Sequence, residues 1–223
     1  MSNIREITLQ QLKPSAFIRD QVAELQRTVG DHTAINALSG GVDSSAVTLL
    51  AHRALGKQLK TYFIDHGLMR DGEPQRVVKL FRDLGVPVIL IDGRKAFYGA
   101  LKGKTDPEQK RQAITDAFYK DVFGKLVRAS KARFLLQGTI YTDVEETVAG
   151  IKRQHNILAQ LGIDTRKAYG YTVLEPLIQL RKPAVRRVAR ALGLPASVFA
   201  RPPFPGPALA ARVIGAITPE RVE

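Results

Sequence analysis

Short apolar runs alternate with amphipathic stretches along most of this chain. Apolar residues recur at helical spacing in five stretches, which predicts helices over residues 14–29, 44–55, 73–84, 105–129 and 182–192. Compact apolar runs bounded by glycine, proline or polar residues predict strands over residues 33–38, 59–65, 86–92, 132–137 and 173–177. Residues 105–108 read Thr-Asp-Pro-Glu, which predicts a capping box with proline in the first turn. Because strands alternate with helices, the pattern predicts βαβ units, a parallel sheet and the α/β class.

Composition excludes several kinds of chemistry. Apolar residues make up 44% of the 223 residues, which is enough for a full hydrophobic core. The chain has no cysteine, which excludes a disulfide, a thiolate zinc site, a cysteine-held iron–sulfur cluster and a cysteine nucleophile. No uncharged apolar stretch approaches the roughly 18 residues of a membrane span. Residues 1–15 also lack the apolar core of a secretory signal. We therefore expect a cytoplasmic protein without a membrane partner.

The net charge of +13 is concentrated in the last third of the chain. Residues 147–223 hold twelve Lys or Arg against four Asp or Glu, which is an excess of +8. Such a surplus favours an anionic partner, namely a nucleotide, a polyphosphate or nucleic acid. A solvated basic surface explains the charge equally well, and so charge alone does not decide between them.

Residues 38–45 read Leu-Ser-Gly-Gly-Val-Asp-Ser-Ser and lie between a predicted strand and a predicted helix. The glycines permit a tight turn and a close approach to a ligand, and the free amides of the following helix attract anions. The segment has no lysine and is therefore not a Walker A loop. An acid beside phosphate is repelled, so Asp43 makes sense as a ligand of Mg²⁺ that also contacts phosphate. The alternative is a Gly-Gly turn in which Ser or Asp merely caps the helix.

Five segments together resemble the N-type ATP pyrophosphatases, and more narrowly the ATP-pyrophosphatase domain of GMP synthetase. They read SGGVDSS at 39–45, FIDHGLMR at 63–70, QGTIYTDVE at 137–145, VLEPL at 173–177 and RPPFPGPAL at 201–209, with Arg212 following. SGGVDSS alone fits many members of the superfamily, whereas QGTIY-x-D followed by PFPGP is far more specific. The resemblance extends over residues 33–217.

This resemblance implies a Rossmann-like parallel sheet of the adenine nucleotide alpha hydrolase type, with helices on both faces, that binds ATP and Mg²⁺. It also implies an AMP-forming ligase of purine biosynthesis. In that reaction the 2-oxygen of xanthosine monophosphate (XMP) attacks the α-phosphate of ATP and pyrophosphate leaves. Ammonia then displaces AMP to give GMP.

The resemblance further implies roles for individual positions. The residues expected to contact ATP are Ser39, Gly40, Gly41, Val42, Asp43, Ser44, Ser45, Ile64, Gly138 and Thr139. Metal binding is expected of Asp43 and Asp143, and catalysis of Asp43, Lys152 and Lys182. Contact with the acceptor nucleotide is expected of Arg70, Arg201, Pro205 and Gly206.

The resemblance also predicts an organisation and partners. Residues 1–30 are expected to form a helical segment, 31–217 the ATP-pyrophosphatase domain with a lid at 147–171, and 218–223 a tail. The usual C-terminal dimerisation domain and glutaminase domain are not expected in this chain. Nitrogen is therefore expected from free ammonia or from a separate glutaminase subunit, and a homodimer is a further expectation. The pattern departs from the family at His66, Pro202 and Ala208.

Two other functions stay open on the sequence. The basic last third suits a tRNA- or cofactor-modifying adenylase of the same superfamily, although RNA is not the favoured partner. The departures from the family pattern suit a non-catalytic module that binds ATP.

Overall fold

The computed structural model describes residues 4–148, 170–200 and 206–221. Its strands are β1 (Ala34–Leu38), β2 (Leu59–Asp65), β3 (Val88–Asp92), β4 (Phe134–Leu136) and β5 (Thr172–Leu174). In the described residues they form a five-stranded sheet with the order β3-β2-β1-β4-β5. The pairs β1–β4 and β4–β5 are parallel, with Ile35 opposite Leu135 and Leu135 opposite Val173. The predicted α/β class with a parallel sheet is confirmed.

Helices separate the strands along the chain. They are α1 (Pro14–Val29), α2 (Val42–Leu55), α3 (Glu73–Asp83), α4 (Arg94–Leu101), α5 (Pro107–Asp116), α6 (Phe123–Ser130), α7 (Tyr141–Val148), α8 (Lys182–Ala191), α9 (Ala196–Phe199) and α10 (Leu209–Arg212). Helices α1, α2, α3 and α8 lie where the apolar spacing predicts them, within two residues at each end. Among the described residues, no helix is long and apolar enough to cross a membrane.

The chain divides into two compact units, and the first comprises residues 1–61 and 132–201. Within it α1, α2 and α8 pack against one another. Val29, Leu50 and Val188 are completely buried there. The Arg53 guanidinium on α2 donates to the carbonyl of Leu192, directly after α8, at 2.8 Å. Helices α2 and α8 therefore share one core, and their C-terminal ends are joined by this hydrogen bond.

The second unit comprises residues 62–131 and 202–223. Its core is aromatic, since Phe81, Phe97 and Phe123 are at most 2% exposed. Helix α5 packs against α10, and the completely buried Lys110 donates from Nζ to the carbonyl of Val213 at 2.6 Å. A buried ammonium needs such an acceptor, because an unpaired charge in an apolar interior is costly.

The single helix predicted over residues 105–129 is wrong in two respects. The cap is Asp106 and not Thr105, because an Asp106 carboxylate oxygen accepts from the amides of Glu108 and Gln109 at 3.0 and 2.9 Å. The helix is also interrupted, since Ala117–Val122 is a π-helical turn between α5 and α6. The wide turn places the carbonyl of Tyr119 against the position that a Cβ of Gly124 would occupy. Glycine at 124 therefore permits this turn.

Four helices have no counterpart in the sequence prediction, namely α4, α7, α9 and α10. The first two span eight residues each and the last two span four, which gives little room for a periodic pattern. The predicted strand over 173–177 is also shorter than expected, because only Thr172–Leu174 pairs with β4. Most of the predicted lid at 147–171 lies outside the described residues.

Candidate functional site

The turn between β1 and α2 is the centre of the candidate site. Gly40 has φ of 77°, a left-handed conformation that favours glycine. Gly41 is the N-cap of α2, with φ −74° and ψ 158°, and no side chain caps this end of the helix. The first amides of a helix lack intrahelical acceptors and carry the positive end of the helix dipole. The Gly41 amide donates weakly to the Ser39 hydroxyl at 3.4 Å, and an anion placed at this turn would find the first amides of α2 without a side-chain cap.

The three serines of the turn have different surroundings. The hydroxyl oxygens of Ser39 and Ser44 lie 2.8 Å apart, and Ser44 also donates to the carbonyl of Gly41 at 3.1 Å. The Ser44 hydroxyl accepts from the Ser39 amide at 3.2 Å. Ser45 is completely buried, and its hydroxyl has no hydrogen-bond partner in the described part of the chain. Ser39 and Ser44 thus close the turn on itself, whereas Ser45 lies beneath it.

Gly138, two residues after β4, lies against the start of α2. A Cβ at Gly138 would meet the amide nitrogen of Ser44 at 3.1 Å and the carbonyl carbon of Asp43 at 3.2 Å. This approach is closer than any larger residue tolerates without movement of the backbone, so it accounts for glycine at this position. Thr139 is completely buried, and its hydroxyl also lacks a partner among the residues described.

Asp43 and Lys182 form an ion pair between the first turns of α2 and α8. Lys182 donates from Nζ to Asp43 Oδ2 at 2.5 Å. The other carboxylate oxygen, Asp43 Oδ1, is buried and accepts no hydrogen bond from any described residue. A carboxylate with one oxygen paired and the other buried without a partner is suited to take up a cation or a further donor.

Asp143, at the start of α7, is electrostatically linked to this pair. Its Oδ2 accepts from the Ile140 amide at 2.9 Å. Burial raises the pKa of Asp143, the hydrogen bond from Ile140 lowers it, and the negative charge of Asp43 raises it further. Lys182 acts in the opposite direction and lowers the pKa of this carboxyl. The two carboxyls predicted as metal ligands therefore sense each other's charge.

These two carboxylates fit a magnesium ion. Carboxylate oxygens are the ligands that Mg²⁺ takes, usually one or two of them, with water and substrate phosphates completing the coordination. In the described part of the chain, no three His, Cys, Asp or Glu side chains group into a metal site. A metal held by Asp43 and Asp143 would accordingly depend on phosphate oxygens for the rest of its ligands.

The other predicted site residues are distributed over both units. Val42 is the first residue of α2 and is buried. Ile64 lies in β2 of the second unit and is 4% exposed. The amide of Arg70, also in the second unit, donates to Glu73 Oε2 at 3.3 Å. Gly206 begins a short 3₁₀ turn, Gly206–Ala208, with φ of 53°. Lys152, Arg201 and Pro205 lie outside the described residues.

Sequence reasoning missed Arg181, the N-cap of α8. Its guanidinium pairs with Glu6 at 3.0 Å and with Glu145 at 2.6 Å, and it lies 4.9 Å from the centre of the Tyr141 ring. The signal that could have found it is electrostatic. Arg181 and Lys182 are adjacent cations at the start of a helix whose first turn has no acid, where the helix dipole disfavours positive charge.

His66 follows β2 in the second unit and accepts a hydrogen bond at Nδ1 from the amide of Leu68 at 3.0 Å. Burial is the main cause that lowers the pKa of His66 from 6.5 to about 4, against the opposing charges of Asp65 and Glu73. The imidazole is therefore neutral at pH 7 and holds the turn that follows the strand.

Comparison with known proteins agrees with the resemblance. The model of the family described as NAD synthase matches residues 12–207. The chain is 46% identical over 207 residues to a subunit of the glutamine-hydrolyzing GMP synthase of Archaeoglobus fulgidus, covering 93% of this chain and 66% of that protein. It is 44% identical over 214 residues to the subunit of the same name from Methanopyrus kandleri, covering 94% of this chain and 65% of that protein. The chain thus spans just under two thirds of the length of these relatives.

A solved structure supports the fold. The NMN synthetase of Francisella tularensis superposes with a TM-score of 0.67 over 88% of this chain and 77% of that protein, at 15% sequence identity. At this identity the likeness concerns the fold alone. It confirms the Rossmann-like arrangement that the five motifs imply.

Proposed function

Because the chain belongs to the NAD synthase family, we propose that it performs the ATP-pyrophosphatase chemistry of an AMP-forming ligase of the GMP synthase type. Relatives with 44–46% identity are named as subunits of a glutamine-hydrolyzing GMP synthase, which supports this assignment over a role in tRNA modification. The observation that carries the proposal is the Asp43–Lys182 pair at the uncapped start of α2.

The proposed reaction has two steps. The 2-oxygen of XMP attacks the α-phosphorus of ATP, the bond to the β,γ-pyrophosphate breaks, and pyrophosphate leaves with its electron pair. Ammonia then attacks carbon 2 of the adenylated base, AMP leaves with the former 2-oxygen, and loss of a proton from nitrogen gives GMP. One ATP, one XMP and one ammonia thus yield AMP, pyrophosphate and GMP. Such catalysis depends mainly on positioning and on neutralisation of charge.

Residues of the first unit have separate roles in this reaction. The amides of Gly40, Gly41 and Val42 and the serines of the turn bind the pyrophosphate end of ATP. Asp43 and Asp143 hold Mg²⁺, which neutralises phosphate charge when it is bound. Lys182 donates to the leaving pyrophosphate, and this supplies the positive charge that the loop lacks.

The remaining predicted contacts stay part of the same proposal. Ile64, Gly138 and Thr139 flank the adenosine. Lys152 adds a second cation to the leaving group, and the acceptor nucleotide is bound by Arg70, Arg201, Pro205 and Gly206. The nitrogen comes from a separate glutaminase subunit or from free ammonia, and the setting is the cytoplasm.

The test is pyrophosphate release by the full chain with ATP and Mg²⁺, with and without XMP and an ammonium salt. We expect release to depend on XMP and ammonium together. Asp43→Asn and Lys182→Ala should each lower the rate by about a hundredfold or more, because the first weakens a ligand of Mg²⁺ and the second removes a positive charge that faces phosphate. Lys79→Ala is the matched control, since Lys79 forms an exposed ion pair with Asp83 at 2.7 Å on α3.

Two results would contradict the proposal in different ways. Release that XMP and ammonium fail to stimulate would overturn the GMP synthase assignment. Near-normal release by both the Asp43 and Lys182 variants would overturn the assigned roles, even if the wild-type chain makes GMP.

A further inference from the structure

Arg181 joins three segments of the first unit next to the candidate site. Its Nε lies 3.0 Å from Glu6 Oε1 in the N-terminal segment, and its NH2 group donates to Glu145 Oε1 on α7 at 2.6 Å. The guanidinium also lies 4.9 Å from the centre of the Tyr141 ring, one helical turn before Glu145. The Tyr141 amide donates to the carbonyl of Leu180 at 2.9 Å. Arg181 therefore lies along one side of α7 while its own backbone begins α8.

The two helices that Arg181 joins carry groups of the candidate site. Helix α7 carries Asp143, and the first residue of α8 is Lys182. Both act on Asp43, Lys182 by an ion pair of 2.5 Å and Asp143 through its charge. A rotation of α7 against the start of α8 would change the position of Asp143 relative to Asp43 and Lys182. The pairing of Arg181 with Tyr141 and Glu145 opposes this rotation, together with the hydrogen bond from the Tyr141 amide to the carbonyl of Leu180.

The charges at the start of α8 distinguish the role of Arg181 from that of Lys182. Two adjacent cations at a helix N-terminus are disfavoured by the helix dipole. The positive charge of Arg181 is balanced by Glu6 and Glu145, and their hydrogen bonds raise its pKa. Lys182 is balanced by Asp43. Arg181 is thus held by carboxylates that the proposed reaction does not use, whereas the partner of Lys182 is the proposed magnesium ligand.

We propose that Arg181 is a positioning residue that sets Asp143 and Lys182 around Asp43 by joining α7 to the start of α8. The inference rests on the proposed function, because its effect is exerted on magnesium-dependent binding of ATP. Arg181 itself does not contact ATP. Its planar fork suits the geometry, since a guanidinium binds a carboxylate and stacks on an aromatic ring, which a lysine ammonium does less well.

Four substitutions separate this role from general stabilisation. Arg181→Met removes the whole contact, and Arg181→Lys keeps the charge without the fork. Glu145→Gln weakens only the link to α7, whereas Glu6→Gln weakens only the link to the N-terminal segment. Arg187→Met is the matched control, because Arg187 lies on α8 and donates to the carbonyl of Leu9 at 3.1 Å. That control loses a link between α8 and the N-terminal segment and leaves α7 unchanged.

The measurement is calorimetric binding of ATP across a range of Mg²⁺ concentrations, together with the melting temperature of each variant. We expect Arg181→Met and Glu145→Gln to raise the Mg²⁺ concentration at half-maximal ATP binding by about tenfold. Arg181→Lys should lie between wild type and Arg181→Met. Glu6→Gln and Arg187→Met should keep the wild-type midpoint, even where they lower the melting temperature.

The outcomes separate a failure of the positioning role from a failure of the proposed function. Equal shifts of the magnesium midpoint in Glu6→Gln and Glu145→Gln, or none in either, would overturn the positioning role of Arg181. If Arg181→Met does not fold, Glu145→Gln carries the same comparison. A wild-type chain that binds magnesium and ATP but releases no pyrophosphate with XMP and ammonium would contradict the proposed function alone. A wild-type chain that binds no ATP with magnesium would overturn both.

Discussion

Replacement of Gly41 by alanine separates what the fold needs from what a phosphate ligand needs. Gly41 has φ −74° and ψ 158°, which alanine adopts freely. A Cβ there would meet only the hydroxyl oxygen of Ser39, at 3.5 Å, which is an ordinary van der Waals contact. Nothing among the described residues therefore requires glycine at this position. A ligand that approaches the backbone would require it.

The expected change in stability is small. Alanine is a poorer N-cap than glycine by about 1 kcal/mol. Its lower entropy in the unfolded chain restores roughly 0.4–1 kcal/mol. The two effects nearly cancel, so the free energy of unfolding should stay within about 0.6 kcal/mol of wild type. The affinity for ATP with Mg²⁺ should fall by about tenfold or more, or at least about 1.4 kcal/mol, because the new methyl group occupies space next to the phosphate.

Gly56 provides the matched opposite control at the other end of α2. It is the C-cap residue with φ of 52°, and a Cβ there would meet nothing within 4 Å. Alanine at 56 should cost about 1–3 kcal/mol of stability, because it must adopt a positive φ with ψ of −119°, a conformation that L residues rarely adopt. It should leave the affinity for ATP unchanged. Urea unfolding and calorimetry measure the two quantities separately. Wild-type ATP affinity in Gly41→Ala would refute the idea that this turn binds phosphate.

Three further substitutions test other parts of the structure. Gly138→Ala should lower the free energy of unfolding by about 1–3 kcal/mol and also weaken ATP binding, because the new Cβ would lie 3.1 Å from the Ser44 amide nitrogen. A variant that matches wild type in urea unfolding and calorimetry would contradict this close approach. In wild type the free energy of unfolding should fall by up to about 3 kcal/mol between pH 6.5 and 4, because the unfolded histidine takes up a proton there and the buried one does not. His66→Asn should abolish this fall, and parallel pH profiles of unfolding in the two proteins would argue against it. Lys182→Met should raise the affinity for Mg²⁺ in the absence of nucleotide, because no ammonium then competes for Asp43, and lower the affinity for ATP in the presence of Mg²⁺. Calorimetry in which both affinities change in the same direction would exclude this competition.

The sequence pattern predicted those elements in which local and tertiary preferences agree. Helix α1 and strand β2 have the predicted bounds, Pro14–Val29 and Leu59–Asp65. In α1 the apolar spacing is long enough to show its period, and Pro14 and Gly30 mark its ends. Strand β2 is a compact apolar run between polar residues. The π turn at Ala117–Val122 could not be predicted in this way, because the helical spacing of Ile114, Phe118 and Val122 passes through it. The turn depends on glycine at 124, which faces a carbonyl five residues earlier and leaves room for it.

The candidate site was predictable as a set of residues but not as a set of contacts. The motif placed Ser39, Gly41 and Asp43 at a strand-to-helix turn, and the structure has that turn. The pairing of Asp43 with Lys182 joins residues 139 positions apart, and no spacing along the chain indicates it. The partners of Arg181 could not be predicted for the same reason, because Glu6 and Glu145 come from distant segments.

The turn after β1 has no lysine of its own, and Lys182 of α8 brings an ammonium to it. Asp43 lies in the first turn of α2, where the helix dipole favours a carboxylate, and Lys182 lies in the first turn of α8, where the dipole disfavours an ammonium. The ion pair offsets that unfavourable position while the site holds no ligand. Under the proposed function, a triphosphate that arrives with Mg²⁺ would exchange both partners, because the metal would take the carboxylate and the phosphate would take the ammonium. Lys182 would gain a more highly charged partner, and Asp43 would gain a divalent one. A lysine supplied by α8 would therefore link the binding of metal to the binding of nucleotide, whereas a lysine fixed in the turn would bind phosphate whether or not the metal was present.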